Sequence, residues 1–161
     1  MFSFFRSSQQ AINKAYFSPG TECQQAIISA IDNAKTSLKI CVFTISDDQI
    51  TAAILRAHER NIPIKLLTDD EKLLDVGSDI RQLAQAKIEI RTDDTRNHMH
   101  HKFALIDNHL LITGSYNWTR SAAMYNHENI IVSDNKELVN DFLVEFEKLW
   151  NAMGVFTEIV K

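Results

Sequence analysis

Glycine occurs four times and proline twice in 161 residues. That scarcity leaves no room for a low-complexity linker, and neither an internal repeat nor a break in composition divides the chain. Cysteine is equally sparse. Cys23 and Cys41 are too few for a disulfide framework, and Cys41 lies in an apolar stretch where a small buried side chain is expected. No run approaches the roughly 20 apolar residues that a membrane-spanning helix needs, so stable membrane insertion is not expected. The start carries Phe2, Phe4 and Phe5 but breaks off at Arg6 and continues Ser-Ser-Gln-Gln, too short for the core of a signal peptide. The expected address is cytoplasmic, or periplasmic or secreted if a leader has been trimmed. A basic excess is missing too. Seventeen Lys and Arg stand against 21 Asp and Glu, a formal net charge of −4, which argues against broad, charge-driven nucleic-acid binding.

What the chain does contain suits one domain. With 45% hydrophobic residues it can bury a proper core. The expected organisation is a tail over 1–14, a domain over 15–152 and a second tail over 153–161. Apolar periodicity predicts strands near 15–18, 38–44, 62–68, 87–91 and 127–132, with helices at about 21–35, 47–60, 78–86 and 134–151. In the last helix Leu138, Phe142, Phe146, Leu149 and Trp150 recur at helical spacing and read as core. Alternation of this kind predicts an α/β sandwich, a mixed β-sheet flanked by helices on both faces.

The densest information lies between His100 and Asn117. Two short apolar runs, Lys102–Ile106 and His109–Thr113, flank Asp107-Asn108, residues that tolerate tight turns, which predicts a β-hairpin. Side chains two apart on a strand share a face, so His100 and Lys102 point together. Gly114 frees the backbone after the second strand, and Ser115 and Asn117 project together if the chain stays extended there. An imidazole, an ammonium, a hydroxyl and a carboxamide on one surface suit a phosphate: donors for its oxygens and a nucleophile for its phosphorus. By uniform-residue arithmetic the spacing H-x-K-x4-D-x6-G-S-x-N should arise by chance on the order of once in a million chains of this length.

This spacing, carried by His100, Lys102, Asp107, Gly114, Ser115 and Asn117, resembles the HKD signature of the phospholipase D superfamily. The likeness runs from about Tyr16 to Trp150. It takes in the opening Tyr-Phe-Ser-Pro-Gly, the strand ending in Phe-Thr-Ile-Ser-Asp-Asp, the stretch Ile64–Asp69 and the later His127-Glu128-Asn129. One copy of the signature in a short chain is similar to the small single-motif nucleases and the mitochondrial cardiolipin hydrolase-like branch. The resemblance implies a phospholipase D-like α/β sandwich and a pseudo-symmetric site with two motif histidines. For a chain with one motif it therefore implies a homodimer with the active site at the two-fold interface.

A phosphodiester needs a nucleophile and an acid for the departing oxygen. One His100 would attack and its mate would protonate the leaving group. Lys102, Ser115 and Asn117 would hold the non-bridging oxygens, and Glu128 would orient His100. Asp107 reads as a structural residue of the hairpin, with Gly114. Candidate substrate contacts are Phe43, Arg96, His98, Tyr116, Trp118 and Arg120, with Tyr116 and Trp118 as stacking surfaces, although aromatics beside a turn more often serve core or rim packing. No cofactor is called for. His98 and His100 share a strand face, but without a Cys-x-x-Cys or a His-Glu-x-x-His no metal site is expected. His58 reads as solvated, and His109 and His127 are given no chemistry. The leading expectation is a metal-independent nuclease acting on DNA or RNA. The alternatives are a lipid phosphodiesterase of the phospholipase D or cardiolipin hydrolase type, and a nucleic-acid-binding protein with an idle site.

Overall fold

The structure, a computed structural model, describes residues 11–73, 75 and 77–156. In chain order it runs β1 (Asn13–Phe17), α1 (Glu22–Asp32), β2 (Leu38–Val42), β3 (Ile45–Ser46), α2 (Asp48–Glu59), β4 (Ile64–Thr68), α3 (Ile80–Gln85) and β5 (Glu89–Thr92). The second half comprises β6 (Lys102–Ile106), β7 (Leu110–Gly114), β8 (Trp118–Thr119), α4 (Arg120–Met124), β9 (Asn129–Ser133), α5 (Lys136–Ala152) and β10 (Gly154–Val155).

Eight strands form one mixed sheet in the order β1-β9-β7-β6-β2-β4-β5-β10, and β3 pairs with β8 apart from it. Strands β2, β4 and β5 are mutually parallel, while β6 runs antiparallel to β2. Alternation along the strands divides the core in two. Leu38, Ile40, Val42, Leu66, Ala104 and Ile112 pack with α1, α2 and α3 through Ile27, Ile31, Ile54 and Leu83. On the other face Cys41, Leu67, Phe103, Leu105 and Leu111 meet Phe146 and Trp150 of α5. Helices thus cover both faces of the sheet.

Capping explains where the two longest helices begin. Asp47 accepts the Gln49 and Ile50 amides ahead of α2, and Asn135 accepts those of Glu137 and Leu138 ahead of α5, satisfying donors that the helix itself leaves unpaired. The buried Asp47 carboxylate also takes a 2.7 Å hydrogen bond from Gln24 Nε2, which fastens α1 to α2.

Four sequence expectations need correction. Asn13 and Lys14 belong to β1 rather than a tail, because β1 pairs with β9 from Asn13↔Ser133 onward. Residues 154–155 are likewise a strand, β10, paired with β5. Leu138 is exposed, and Val139 takes its place in the stripe of α5. Periodicity also passed over β3, β8 and α4, whose two to five residues are too short to establish a period. Phe2, Phe4 and Phe5 lie outside the described residues.

Asp107 ends the hairpin at the far end of β6 from His100. It and Asn108 have φ of 56° and 51°, the left-handed geometry of tight hairpin turns. Its carboxylate accepts the backbone amides of Lys35, Thr36 and Ser37 and the Thr36 hydroxyl, at 2.7–3.1 Å. The hairpin is thereby pinned to the loop between α1 and β2. Burial works to raise the Asp107 pKa, but the backbone donors outweigh it and hold it below the usual carboxylate value. A depressed carboxylate contributes stability that is present above its unfolded pKa and lost as pH falls through the folded one. Asp107→Ala should therefore cost about 2 kcal/mol at neutral pH, and the difference from wild type should shrink as the pH drops through the carboxylate range. Urea melts at several pH values check this; a pH-independent difference would remove the carboxylate from the account.

Candidate active site

The signature gathers at one edge of the sheet, where β2 and β4 end and β6 begins. Val42 lies opposite Lys102, and β7 ends at Gly114, opposite Ile130 of β9. Loops leaving adjacent strand ends in this way commonly build ligand sites in α/β sheets.

Lys102 Nζ approaches His100 Nδ1 at 2.9 Å and donates to the His100 carbonyl oxygen at 2.7 Å. The two side chains share one side of the strand. Phe43, just past β2, stands among them: its ring centroid lies 4.5 Å from that of His100 and 5.4 Å from that of His98. The ammonium groups of Lys72 and Lys102 each lie 5.2 Å from the same ring, a cation–π arrangement on both counts. Of the candidate substrate contacts, the structure brings Phe43 and His98 to the histidine.

Electrostatics favour a reactive imidazole. Partial burial, then the charges of Lys102 and His98, hold His100 below the ordinary histidine pKa, against an opposing pull from Asp69. Neutral imidazole, the nucleophilic form, therefore dominates at lower pH than in a free histidine. Burial also lowers the Lys102 pKa, with Glu128 opposing it.

The remaining candidates divide. Ser115 is exposed and its Oγ accepts the Asn129 amide at 3.2 Å. Asn117 Oδ1 is buried without a hydrogen-bond partner. No hydrogen bond links Glu128 to His100 among the described residues; its charge acts on Lys102 instead. Arg96 is exposed on the loop ahead of the signature. Arg120 pairs with Asp48 at the start of α2 and lines a separate groove with Gln24 and Asp47. Arg91, one of the cations near the signature in sequence, stacks on Trp150.

Tyr116 and Trp118 are core residues, the commoner role of aromatics beside a turn, and this removes them from the candidate substrate contacts. They are 0% and 1% exposed. Side chains two apart share a face whichever face that is, and here it is the core. Gly114 also has a different reason from the one expected: a Cβ there would collide with the Asn129 carbonyl oxygen and lie 2.8 Å from Ile130 Cα. Close approach of β9, rather than backbone freedom, demands glycine.

Sequence reasoning missed Asp69. This carboxylate, 1% exposed at the end of β4, accepts the Met99 amide at 2.9 Å and the Glu71 amide at 3.1 Å. His98 Nδ1 lies 3.4 Å from the oxygen that takes Met99. Met99 sits between His98 and His100, so Asp69 fixes the segment that presents both. The available signal was an acidic residue closing an apolar parallel strand. Met99 adds a second tether, its sulfur 3.4 Å from the buried Cys41 thiol. Asp69, Glu71 and His98 also place ligand atoms within 4.8 Å of one another, as do Asp69, Asp70 and Asp93.

Fold and site together define an α/β sandwich whose strand ends present a histidine–lysine pair suited to phosphate. The family model for the cardiolipin synthase, phospholipase D-like domain matches residues 27–150. The chain belongs to the phospholipase D superfamily. It is 42% identical over 121 residues to the mitochondrial cardiolipin hydrolase of Chlamydomonas reinhardtii, covering 75% of this chain and 54% of that one. It is 36% identical over 127 residues to a phospholipase D of Rickettsia bellii, covering 79% and 63%. The chain thus spans about half to two thirds of the length of these relatives. Among solved structures, Nuc of Salmonella typhimurium, a phospholipase D family member, superposes with a TM-score of 0.85 at 27% identity, covering 92% of this chain and all of that one.

Proposed function

We propose that the chain is a phosphodiesterase that acts through a covalent phosphohistidine at His100, in a site completed by a second copy. The observation that carries this is the His100–Lys102 pair, 2.9 Å apart at the strand ends. In the first step a His100 nitrogen attacks phosphorus, the N–P bond forms and the bond to the leaving oxygen breaks. That oxygen takes its proton from the partner copy's imidazolium. In the second step water attacks phosphorus, the N–P bond breaks, and the partner imidazole accepts the water's proton. Lys102, Ser115 and Asn117 stabilise the charge on the non-bridging oxygens. An ammonium can only donate, so Nδ1 accepts from Lys102 in the unliganded arrangement, which leaves the imidazole proton on Nε2. Phosphate would draw Lys102 away and release Nδ1 to carry the proton while Nε2 attacks.

A lipid phosphodiester is the favoured substrate, which reverses the order expected from sequence. The relatives are named cardiolipin hydrolase and phospholipase D, and Asp69 and Glu71 beside His98, with Asp93 and Asp94 along the groove next to His100, add negative charge that a nucleic-acid backbone would meet. The nuclease reading stands second, on the two lysines that flank the Phe43 ring, since an aromatic with adjacent cations can seat a base.

The test offers cardiolipin in mixed micelles, single-stranded DNA and RNA separately to the purified chain in excess chelator. Lipid hydrolysis that survives chelation, with an acid-labile phosphoenzyme, is the expected result. Turnover of nucleic acid alone would put the second reading first, and loss of all turnover in chelator would sink the histidine scheme.

A further inference from the structure

A groove of about 610 Å³ opens beside the reacting histidine, between the segment 93–101 and the C-terminal end of α5. His100 and His101 form one wall; Met99, Leu149, Ala152 and Met153 supply its apolar lining. Its volume falls within the roughly 300–1,000 Å³ usual for small-molecule sites. Asp93, which is buried, and Asp94, which is exposed, also line it.

We propose that this groove seats an apolar chain of the phosphodiester substrate, the alkyl or acyl substituent next to the scissile phosphate. The inference rests on the lipid reading above and adds to it the place where the chain lies. Three observations select this occupant. The groove is continuous with the site, because His100 lines it, so a group held there is one substituent away from phosphorus. Met99, Leu149, Ala152 and Met153 offer thioether and aliphatic surface that rewards methylenes, and Thr95, Asn97 and His98 form the polar part of the same lining. The carboxylates of Asp93 and Asp94 oppose the run of phosphates along a nucleic-acid strand more than the one or two phosphates of a lipid headgroup. The groove therefore selects for a phosphate that is charged at one end and apolar at the other.

Ala152 provides a clean probe, since it is exposed at the last turn of α5 and its replacement removes nothing from the core. Dissolved, monomeric phosphodiesters with one headgroup and increasing chain length would be compared with chainless bis(para-nitrophenyl) phosphate. Wild type should gain kcat/KM with chain length, up to about fourfold for each methylene buried. Ala152→Glu should flatten that dependence and lower the ratio of long-chain to chainless kcat/KM about tenfold, while Ala152→Leu should preserve or steepen it. An unchanged chain-length dependence in Ala152→Glu, or an equal loss on every substrate, would overturn the groove assignment while leaving lipid turnover in place. Failure of the underlying reading looks different: wild type itself would show no preference for long chains and would cleave nucleic acid.

Discussion

Alanine at His100 is expected to lower kcat by on the order of 10⁴–10⁶-fold on every phosphodiester the protein accepts, with the fold intact. The imidazole is exposed and its neighbours are Phe43, His98 and Lys102, so no core packing is lost. The remaining rate would come from oriented binding by Lys102, Ser115 and Asn117. The phosphoenzyme should vanish with the activity; a variant that still traps phosphate would place the nucleophile elsewhere. Mixing subunits tests the shared site. If both proton transfers need a His100 from each copy, randomly exchanged wild type and His100→Ala should retain activity as the square of the wild-type fraction. A linear decline would show that one copy suffices. In wild type, the acid limb of kcat/KM should fall below pH 6.5, the ordinary histidine value, because the pKa of His100 is lowered.

Gly114→Ala should have the second largest effect, and on stability. The added methyl would meet backbone, the Asn129 carbonyl and the Ile130 Cα, which cannot rotate aside as a side chain can. Separating β7 from β9 there would cost about 3 kcal/mol or more, a large share of the roughly 5–15 kcal/mol that holds a domain folded. The urea midpoint reads this directly. A midpoint equal to wild type would mean that the strands part without cost. Ser115, whose amide and hydroxyl both engage Asn129, would move as well, so any folded fraction should be less active.

Much of this was legible because the site is local in sequence. Between His100 and Asn117 one hairpin carries the histidine, the lysine and both neutral donors, so period-two alternation was enough to place His100 beside Lys102. The layers followed from the same alternation, read against the longer helices. The failures lie where distant segments decide. Ser115 and Asn117 bracket Tyr116, and nothing nearby announces that the chain turns inward there. Trp118 enters the core through the short pairing of β8 with β3, a contact across more than 70 residues. Asp69 reaches Met99 across 30 residues, and its role exists only once β4 lies in the sheet.

The tether at Met99 bears on how the protein should fail when heated. The segment before β6 has no secondary structure of its own, and such segments usually loosen before the body of a domain. This one is held from both sides, by the buried Asp69 carboxylate at its backbone and by the Cys41 thiol at its sulfur, one anchor at the end of β4 and the other within β2. Thermal inactivation should then coincide with global melting, with no temperature window in which a folded molecule has lost its histidine.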